Sequence, residues 1–489
     1  MFNYLFLHPA TITLIAHATV VSGLVLRVIM RRLPTGVALA WIFLIATTPL
    51  AGAGAYLLIG ERRIGHRRAQ GFETLRVDYR KIADEAIRKG LTDVDWQRHS
   101  AAERGMDQLG RAMVGFPTVH GSSHQLISDT PEILEAIARD VDAAEKSVLM
   151  EFYIWQAGGQ ADVVLEAVIR AARRGVYCCL LIDSLGARPW WRTGQPRRLR
   201  EAGVKLLPAL PVGLLRTFVG RTDLRLHRKI VVIDGKVAWT GSMNLVDPRF
   251  FKQGSDFGLW VDAMVRVEGA AVVPLAAVMI GDWMLESGEP LLELIRAAKL
   301  HLVEPNGPAD MQVIPSGPGE SGDAQLQMVL AIINSAEHEV ILTTPYLVPD
   351  ESLLRALRGA AARGVKVQLV VPEKVDSLLT RYASRSYFDD LLESGIEVYW
   401  YRHGLLHTKS ITADGRRSMF GTVNLDMRSF WLNYEVALYV YDADFSASLR
   451  ELQLRYVAEA DRIVPEEWAQ RSLLSRFFEN SFRLASPLL

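Results

Sequence analysis

An internal repeat constrains the fold of this 489-residue chain more than any other feature of its sequence. Residues 148–155 correspond to residues 340–347, and both are runs of strand-forming side chains. Each run is followed by a stretch with helical periodicity that closes with a glycine, at residues 163–176 in one half and 353–365 in the other. A duplication of this length indicates two copies of one structural unit.

The order of these elements predicts an α/β fold. Second strands at residues 177–183 and 366–372 complete a strand–helix–strand unit in each half. Units of this kind join parallel strands, so each half is expected to be an α/β sandwich domain. We expect the two domains to be related by a pseudo-twofold axis. Residues 305–324, which are rich in proline and glycine, are predicted to connect them.

Each half also contains the pattern His-x-Lys-x4-Asp, followed at the same distance by Gly-[Ser/Thr]-x-Asn. The members are His227, Lys229, Asp234, Gly241, Ser242 and Asn244 in the first half, and His407, Lys409, Asp414, Gly421, Thr422 and Asn424 in the second. One occurrence would be a weak signal, because a single histidine is more often structural. Two occurrences in register within a duplicated framework make coincidence a poor explanation.

The spacing of the histidine and the lysine suits phosphodiester chemistry. Along a strand, residues i and i+2 project to the same face, so the two side chains of each motif can point at one phosphate. A lysine neutralises the non-bridging oxygens while a neutral imidazole nitrogen attacks phosphorus. A second, protonated imidazole must donate to the departing alkoxide. Because both histidines are needed, the active site is expected between the halves.

The doubled motif resembles the phospholipase D superfamily, and the resemblance covers about residues 120–460. It implies a covalent phosphohistidine intermediate and no requirement for a metal or another cofactor. It also implies that the lysines, the asparagines and Ser242 or Thr422 contact the phosphate.

Acidic residues complete the expected site. The resemblance implies that an acid after each motif orients a histidine, and the distance from the motif glycine assigns this role to Asp256 and Glu435. Asp256 lies one residue further from its glycine than Glu435 does. Asp234 and Asp414 are members of the motif, and we expect them to brace the ends of strands.

Residues 241–252 and 421–429, together with a hydrophobic N-terminus, narrow the resemblance to the bacterial cardiolipin synthases. This implies transfer of a phosphatidyl group from one phosphatidylglycerol to another with release of glycerol. It also implies that His227 is the nucleophile and that His407 is the acid and then the base. Phospholipid hydrolysis, transfer to another alcohol and a noncatalytic membrane scaffold are the alternatives.

The first sixty residues are strongly apolar. Only His17 and Arg27 interrupt residues 10–30, and residues 33–60 contain no charged side chain. Each run is long enough to cross the ~30 Å hydrocarbon layer as a helix. Two complete crossings would place the basic clusters that follow them on opposite faces, against the positive-inside bias. A re-entrant or surface-lying hairpin, broken near Pro49, would place both clusters on one face.

The chain thus divides into a predicted membrane hairpin of two hydrophobic helices at residues 1–70, a helical linker at 71–119, a first phospholipase D-like domain at 120–304 and a second one with a C-terminal helix at 305–489. We expect an enzyme of the bacterial inner membrane whose catalytic domains face the cytoplasm. Its expected partners are phosphatidylglycerol and other anionic membrane lipids. Zero formal net charge and the apolar N-terminus count against nucleic acid as a partner.

Two further stretches are candidates for lipid contact. Residues 188–229 are rich in arginine and include Trp190 and Trp191, which favours docking on anionic lipid over a simple solvated face. An insertion in the first half, just before its motif, carries arginines that suit a substrate-side loop, namely Arg216, Arg221 and Arg225. Residues 473–489 could form an amphipathic helix on the membrane or an ordinary docked terminal helix.

Overall fold

The computed structural model describes residues 9–33, 35–61, 64–213, 221, 223–252, 254, 256–320, 323–484 and 486. The chain forms two compact units. The smaller unit consists of Met1–His66 and Val212–Asp223, and the larger unit consists of Arg67–Pro211 and Leu224–Leu489.

The smaller unit begins with three helices and a π-helical turn. These are α1 (Pro9–Met30), α2 (Thr35–Thr47), α3 (Pro49–Ala55) and the turn at Tyr56–Gly60. The break between α2 and α3 lies at Thr48, because a proline disfavours the helical conformation in the residue before it. The second apolar run is therefore interrupted where the sequence predicts a break.

The buried carboxylate of Glu61 links the last turn of α1 to the end of the π-helical turn. Glu61 accepts two hydrogen bonds from the Arg27 guanidinium, at 2.5 and 2.8 Å, and one from the Tyr56 hydroxyl at 2.9 Å. The sequence predicts a membrane hairpin of two hydrophobic helices here, either spanning or re-entrant, and within the described ranges no helix has both the length and the apolar character needed to cross a bilayer.

The larger unit starts with two helices that the sequence assigns to a linker. They are α4 (His66–Arg88), whose first residue belongs to the smaller unit, and α5 (Ala101–Val114). A capping box begins α5, since Ser100 Oγ accepts from the Glu103 N–H at 3.3 Å and the Glu103 carboxylate accepts from the Ser100 N–H at 2.8 Å.

The first half of the repeat then alternates strands and helices. Its elements are β1 (Val119–Ile127), α6 (Thr130–Asp142), β2 (Ser147–Phe152), α7 (Ala161–Arg173), β3 (Tyr177–Asp183), α8 (Arg188–Trp191), α9 (Gln195–Glu201), β4 (Lys205–Ala209), β5 (Arg225–Leu226), β6 (Ile230–Ile233), β7 (Val237–Gly241), β8 (Trp260–Val261), β9 (Met264–Gly269), α10 (Val272–Ser287) and α11 (Leu291–Ala297). The predicted strand–helix–strand unit corresponds to β2, α7 and β3, and its two strands are parallel.

The second half repeats this order. Its elements are β10 (Ala309–Ser316), α12 (Ala324–Asn334), β11 (Glu339–Thr343), β12 (Leu347–Val348), α13 (Glu351–Ala362), β13 (Lys366–Pro372), α14 (Leu378–Ser386), α15 (Phe388–Glu393), β14 (Glu397–Tyr401), β15 (Leu405–Leu406), β16 (Ser410–Ala413), β17 (Arg417–Gly421), β18 (Leu425–Asp426), α16 (Met427–Trp431), β19 (Asn433–Val440), α17 (Ala443–Ala458), β20 (Ala460–Arg462), α18 (Pro465–Ala469) and α19 (Leu473–Arg483). The parallel strands β11 and β13 match β2 and β3.

One mixed sheet of sixteen strands runs through both halves. Outward from its centre the order is β1, β9, β7, β6, β2, β3, β4 on one side and β10, β19, β17, β16, β11, β13, β14, β20 on the other, and the sixteenth strand, β5, pairs with β19. The halves meet where β1 and β10 pair antiparallel, with Val119 opposite Met311. The matching strand orders agree with a pseudo-twofold relation, although the two halves share one sheet and one compact unit.

The segment predicted as a connection contains the strand that joins the halves. All eight residues of β10 are buried, although proline and glycine flank them. Turn-forming residues at the borders of a short strand dominate the composition of the segment, so composition alone hides the strand. Residues 305–324 are therefore in part a central strand and not only a linker.

Candidate active site

Each motif histidine is tied by its backbone to the opposite half of the sheet. The His227 N–H donates to the carbonyl of Tyr434 at 2.9 Å, directly after β5 pairs with the start of β19. The His407 N–H donates to the carbonyl of Val261 at 2.8 Å, directly after β15 pairs with β8. These reciprocal pairings bring both histidines to the junction of the halves.

Each imidazole also binds a carboxylate from the opposite half. His227 Nδ1 lies 2.8 Å from Glu435 Oε2, and His407 Nδ1 lies 2.7 Å from Asp262 Oδ1. Both carboxylates are almost completely buried. A carboxylate at Nδ1 keeps the proton of a neutral imidazole on that nitrogen, so the lone pair of each ring is on Nε2.

Asp256 does not occupy the position expected from its spacing. Its side chain is exposed, and its nearest charged partner is Lys374 at 3.8 Å. The strand register identifies Asp262 as the equivalent of Glu435 instead, because β7 and β17 align their glycines with Met264 and Ala437, respectively. The loop after β7 is longer than the loop after β17, and counting residues from the motif therefore selects the wrong acid.

The motif hydroxyls hold these acids. Ser242 Oγ donates to Asp262 at 2.6 Å and accepts from the Ala263 N–H at 3.1 Å. Thr422 Oγ1 donates to Glu435 at 2.5 Å and accepts from the Val436 N–H at 2.9 Å. A hydroxyl has one proton, so neither residue has a second one for a phosphate oxygen. In this arrangement both hydroxyls hold the acids, and contact of Ser242 or Thr422 with the phosphate stays a prediction.

The motif lysines are buried beside the histidines. Lys229 Nζ and Lys409 Nζ each donate to the carbonyl of the histidine two residues earlier, at 2.5 Å in both motifs. Burial lowers the pKa of Lys229 to about 8 and that of Lys409 to about 7. Each ammonium has further N–H groups, and a phosphate anion beside them would favour the charged form of both lysines.

The electrostatics of the histidines agree with one site that is formed by both motifs. Burial lowers the pKa of both histidines to about 4, and the nearby lysine charges lower it further against the pull of the carboxylates. Lys409 acts on His227, and Lys229 acts on His407, so each lysine influences the imidazole of the other motif. Both imidazoles are consequently neutral at pH 7 in this arrangement.

The motif asparagines retain hydrogen-bonding capacity in the site. Asn244 Oδ1 accepts from the Ile154 N–H at 3.1 Å, while its Nδ2 is buried without a partner in the described part of the chain. Asn424 Oδ1 is likewise buried without a partner among the described residues. Unsatisfied buried amide groups are costly, and a bound ligand can satisfy them.

The motif aspartates lie at the far ends of their strands. Asp234 accepts from the backbone N–H groups of Lys146 and Ser147 at 2.7 and 2.9 Å, and Asp414 accepts from the N–H groups that precede β11. The strand β6 separates Asp234 from Lys229, a distance of roughly 16 Å along the extended chain. These two carboxylates anchor the starts of β2 and β11 and do not face the histidines.

Two aromatic rings and one arginine surround the site without having been predicted as parts of it. Trp260 stacks on His407 with 4.4 Å between ring centres, and the edge of Tyr153 meets His227 at 5.3 Å. Arg228, between the motif histidine and lysine, is fully buried and donates to the carbonyl of Glu435 at 2.9 Å. An acid two residues before a run of strand-forming residues, at Asp262 as at Glu435, is the sequence signal that could have identified Asp262, whereas no such signal identifies Trp260.

The predicted lipid-contact stretch near Trp190 has another role. Trp190 is buried and stacks on Trp155 with 4.8 Å between ring centres, so it belongs to the core of the first half. Arg221 pairs with Asp223 inside the smaller unit, and Arg225 is part of β5. Arg216 and the apolar residues around it lie outside the described residues.

Comparison with known proteins identifies the family. A family model described as "Cardiolipin synthase, PLD-like domain" matches residues 137–266 and 329–455. Cardiolipin synthase A of Erwinia tasmaniensis is 42% identical over 475 residues, and cardiolipin synthase A of Yersinia pseudotuberculosis is 41% identical over 469 residues. In each case 96% of both chains is covered.

One solved structure supports the fold alone. The crystal structure of phosphatidylserine synthase from Haemophilus influenzae has a TM-score of 0.59 at 15% identity, and the match covers 80% of this chain and 100% of that one. The family model covers more than half of the sequence, and the relatives match it almost from end to end. This chain therefore belongs to the cardiolipin synthase family of PLD-like proteins.

Proposed function

We propose that this chain synthesises cardiolipin by transferring a phosphatidyl group from one phosphatidylglycerol to another, with release of glycerol. The observation that carries the proposal is the exchanged pairing of each histidine with a buried acid of the opposite half. This pairing leaves two imidazole Nε2 atoms with lone pairs beside two lysines. Such a set can attack a phosphodiester and protonate its leaving group.

In the first step, His227 Nε2 attacks the phosphorus of the donor lipid. The P–N bond forms as the P–O bond to the terminal glycerol breaks, and His407 donates its Nε2 proton to the glycerol oxygen. Lys229 and Lys409 stabilise the negative charge on the non-bridging oxygens. The products of this step are free glycerol and a phosphatidyl group on His227.

In the second step, His407 is neutral and removes a proton from a headgroup hydroxyl of the acceptor phosphatidylglycerol. The hydroxyl oxygen attacks phosphorus, the P–N bond breaks and cardiolipin leaves. His407 regains the proton that it gave away, so the cycle closes without any net consumption of protons. One residue thus serves as acid and then as base, as microscopic reversibility requires.

The substrate itself supplies the protonation state that the first step needs. Both imidazoles are neutral in the empty site because burial lowers their pKa. A phosphodiester anion beside them raises that pKa, since an opposite charge favours the imidazolium form. The proton on His407 is therefore taken up together with the substrate.

Transfer must prevail over hydrolysis of the phosphohistidine. We place the reaction at the surface of the bacterial inner membrane, on the cytoplasmic side, where acceptor headgroups are concentrated. Burial of the histidines and lysines restricts the access of water to the intermediate. The abundance of the lipid acceptor then favours cardiolipin over phosphatidic acid.

The product test uses phosphatidylglycerol as the only lipid, in mixed micelles with the purified chain. We expect cardiolipin and free glycerol in equal amounts, measured by lipid chromatography and an enzymatic glycerol assay. His227→Ala and His407→Ala should each reduce turnover by about 1000-fold, because each removes a reacting group. Phosphatidic acid as the main product would instead identify a phospholipase.

The assignment of the nucleophile can be tested with phosphatidyl-p-nitrophenol, whose leaving group needs no acid. We expect His407→Ala to release one equivalent of nitrophenol in a burst and to retain the phosphatidyl group on the protein, because the base for the second step is missing. His227→Ala should give no burst. The opposite pattern would make His407 the nucleophile.

Because Asp262 and not Asp256 binds His407, we predict that only the carboxylate of Asp262 matters for catalysis. Asp262→Asn should lower kcat by about 100-fold or more, because the amide no longer fixes the Nδ1–H tautomer of His407. Asp256→Asn is the matched control and should stay within about twofold, since its side chain is exposed. Thermal unfolding of both variants checks folding. Equal losses in the two variants would contradict the assignment.

The lysine pKa values predict an alkaline limit to activity. Lys409, with a pKa of about 7, and Lys229, with a pKa of about 8, lose their charge as the pH rises. The need of His407 for a proton already makes kcat/KM fall as the pH rises, and we expect this fall to steepen above the range in which the lysines lose their charge. In Lys409→Arg the guanidinium keeps its charge, so the onset of the steeper limb should move up by about one unit. An unchanged limb would show that Lys409 does not titrate there.

A further inference from the structure

The helices α14 and α19 pack together and present an apolar surface to solvent. We call this surface the α14–α19 face. Its large exposed side chains are Leu378, Leu379, Leu473, Leu474, Phe477 and Phe478, with exposed fractions between 47% and 82%. So many large exposed apolar side chains on two packed helices are uncommon on a soluble surface and indicate a contact site for a partner or a membrane.

The apolar side chains of α19 are not needed to fix the helix in place. Its other side is docked, because Phe482 stacks on Tyr382 with 5.3 Å between ring centres and Arg483 pairs with Asp390 at 2.8 Å. Glu479 on the docked side is buried. These contacts fix the position of α19, and Phe477 and Phe478 are exposed to solvent.

Two arginines beside this face are poised to bind an anion. Arg381 and Arg385 lie one turn apart on α14 and, together with Thr380 and Ser384, line a cavity of about 20 Å³, so a phosphate would bind at its mouth and not inside it. Arg381 Nε is buried and has no hydrogen-bond partner among the described residues. Burial lowers the pKa of Arg385, and the neighbouring charge of Arg381 lowers it further. Two such cations side by side are unfavourable unless an anion joins them.

The acids near this cavity favour the charged form of Arg385, as does the Trp400 ring beneath it, but both acids are shared with other arginines. Glu373, which also lines the cavity, lies 3.6 Å from Arg402, and Glu479 pairs with Arg471 on the docked side of α19. Arg476 adds an exposed cation on α19 itself. The α14–α19 face therefore combines apolar side chains with a surplus of positive charge.

The α14–α19 face lies at the edge of the sheet that carries the active site. Thr343, the last residue of β11, pairs with Ser410, so His407 lies beyond the C-terminal end of β11. The strand β13 is parallel to β11, and α14 follows its C-terminal end. Pro345, shortly after β11, lines the arginine cavity. Ligands of α/β sheets commonly bind at this edge.

We propose that the α14–α19 face rests on the surface of an anionic phospholipid bilayer, with its leucines and phenylalanines inserted and a lipid phosphate bound between Arg381 and Arg385. Apolar side chains beside arginines match the acyl boundary and the phosphate layer of such a bilayer. The inference rests on the proposed function, because a lipid substrate must reach His227 and His407 from a membrane. The inference identifies the surface through which the larger unit contacts that membrane.

A local probe tests this docking in the full chain, whose apolar N-terminus could bind vesicles independently. Phe477→Cys is labelled with the fluorophore NBD in a His227→Ala background, which prevents lipid turnover. The native Cys178 and Cys179 are buried, and burial raises the pKa of both thiols, to about 12 and about 11, so they react slowly. Leu292→Cys, at an exposed leucine of α11, is the matched control.

Vesicles of phosphatidylcholine with an equal part of phosphatidylglycerol should shift the emission at position 477 to the blue, and spin-labelled lipid should quench it. The label at position 292 should change little. Equal responses at both positions would overturn the proposal. If the emission at position 477 is already blue-shifted relative to position 292 in the absence of lipid, the proposal would also be overturned, because another protein surface would then cover the face.

The arginine cavity is tested by Arg381→Gln and Arg385→Gln, with the exposed Arg173→Gln on α7 as the matched control. Each cavity variant should raise the phosphatidylglycerol fraction needed for half of the NBD response by about fivefold, and the control should not. With His227 restored, the variants should keep turnover of soluble short-chain phosphatidylglycerol. An unchanged lipid dependence would overturn phosphate binding by the cavity. The probe needs no turnover, so a failure of the proposed function is detected separately.

Discussion

The exchanged pairing of histidine and carboxylate is the interaction on which the rest of the structure depends. Glu435 of the second half holds His227 of the first, and Asp262 of the first half holds His407 of the second. Neither half can orient its own imidazole, so the two halves must be joined rigidly. The antiparallel pairing of β1 with β10 provides that connection and makes one sheet from two repeats. The same acids compensate the two buried lysines, which would otherwise be too costly to bury.

The two halves have matching strand orders, but they differ in the charged side chains that are buried next to the histidine–acid pairs. Arg228 is buried against Asp282 and Glu320 and holds the carbonyl of Glu435. The equivalent residue in the second motif is the neutral Thr408, which lies within 3.3 Å of the Tyr456 hydroxyl. Among the described residues, a buried ion cluster of Arg228, Asp282 and Glu320 therefore lies under the His227–Glu435 pair, while the neutral Thr408 takes the place of Arg228 in the second half. This difference gives the two imidazoles different surroundings and is a physical basis for assigning them different roles.

The parts of the site that could be predicted are those set by local pattern. Strand periodicity and the doubled motif identify His227 and His407 and the parallel units, because side-chain alternation is a local property of the chain. Asp262 could not be found by counting, because loop length is not fixed by any pattern, and β10 was hidden by the turn residues at its borders. Trp190 was predicted to contact lipid from composition, yet the packing of the first half buries it. The positions of Asp262, β10 and Trp190 are set by contacts between residues that are distant in the sequence, and local patterns do not encode such contacts.

In the proposed reaction the bond that breaks and the bond that forms are of the same kind. The leaving glycerol and the attacking headgroup both present a primary hydroxyl oxygen to phosphorus, so the exchange is nearly balanced in energy and needs no external driving force. One imidazole can then serve both oxygens from one position, which agrees with the single cluster of two histidines and two lysines. The outcome depends on which alcohol meets the phosphohistidine first. The proposed contact of the α14–α19 face with a bilayer, at the same edge of the sheet as His407, would give the lipid alcohol that advantage.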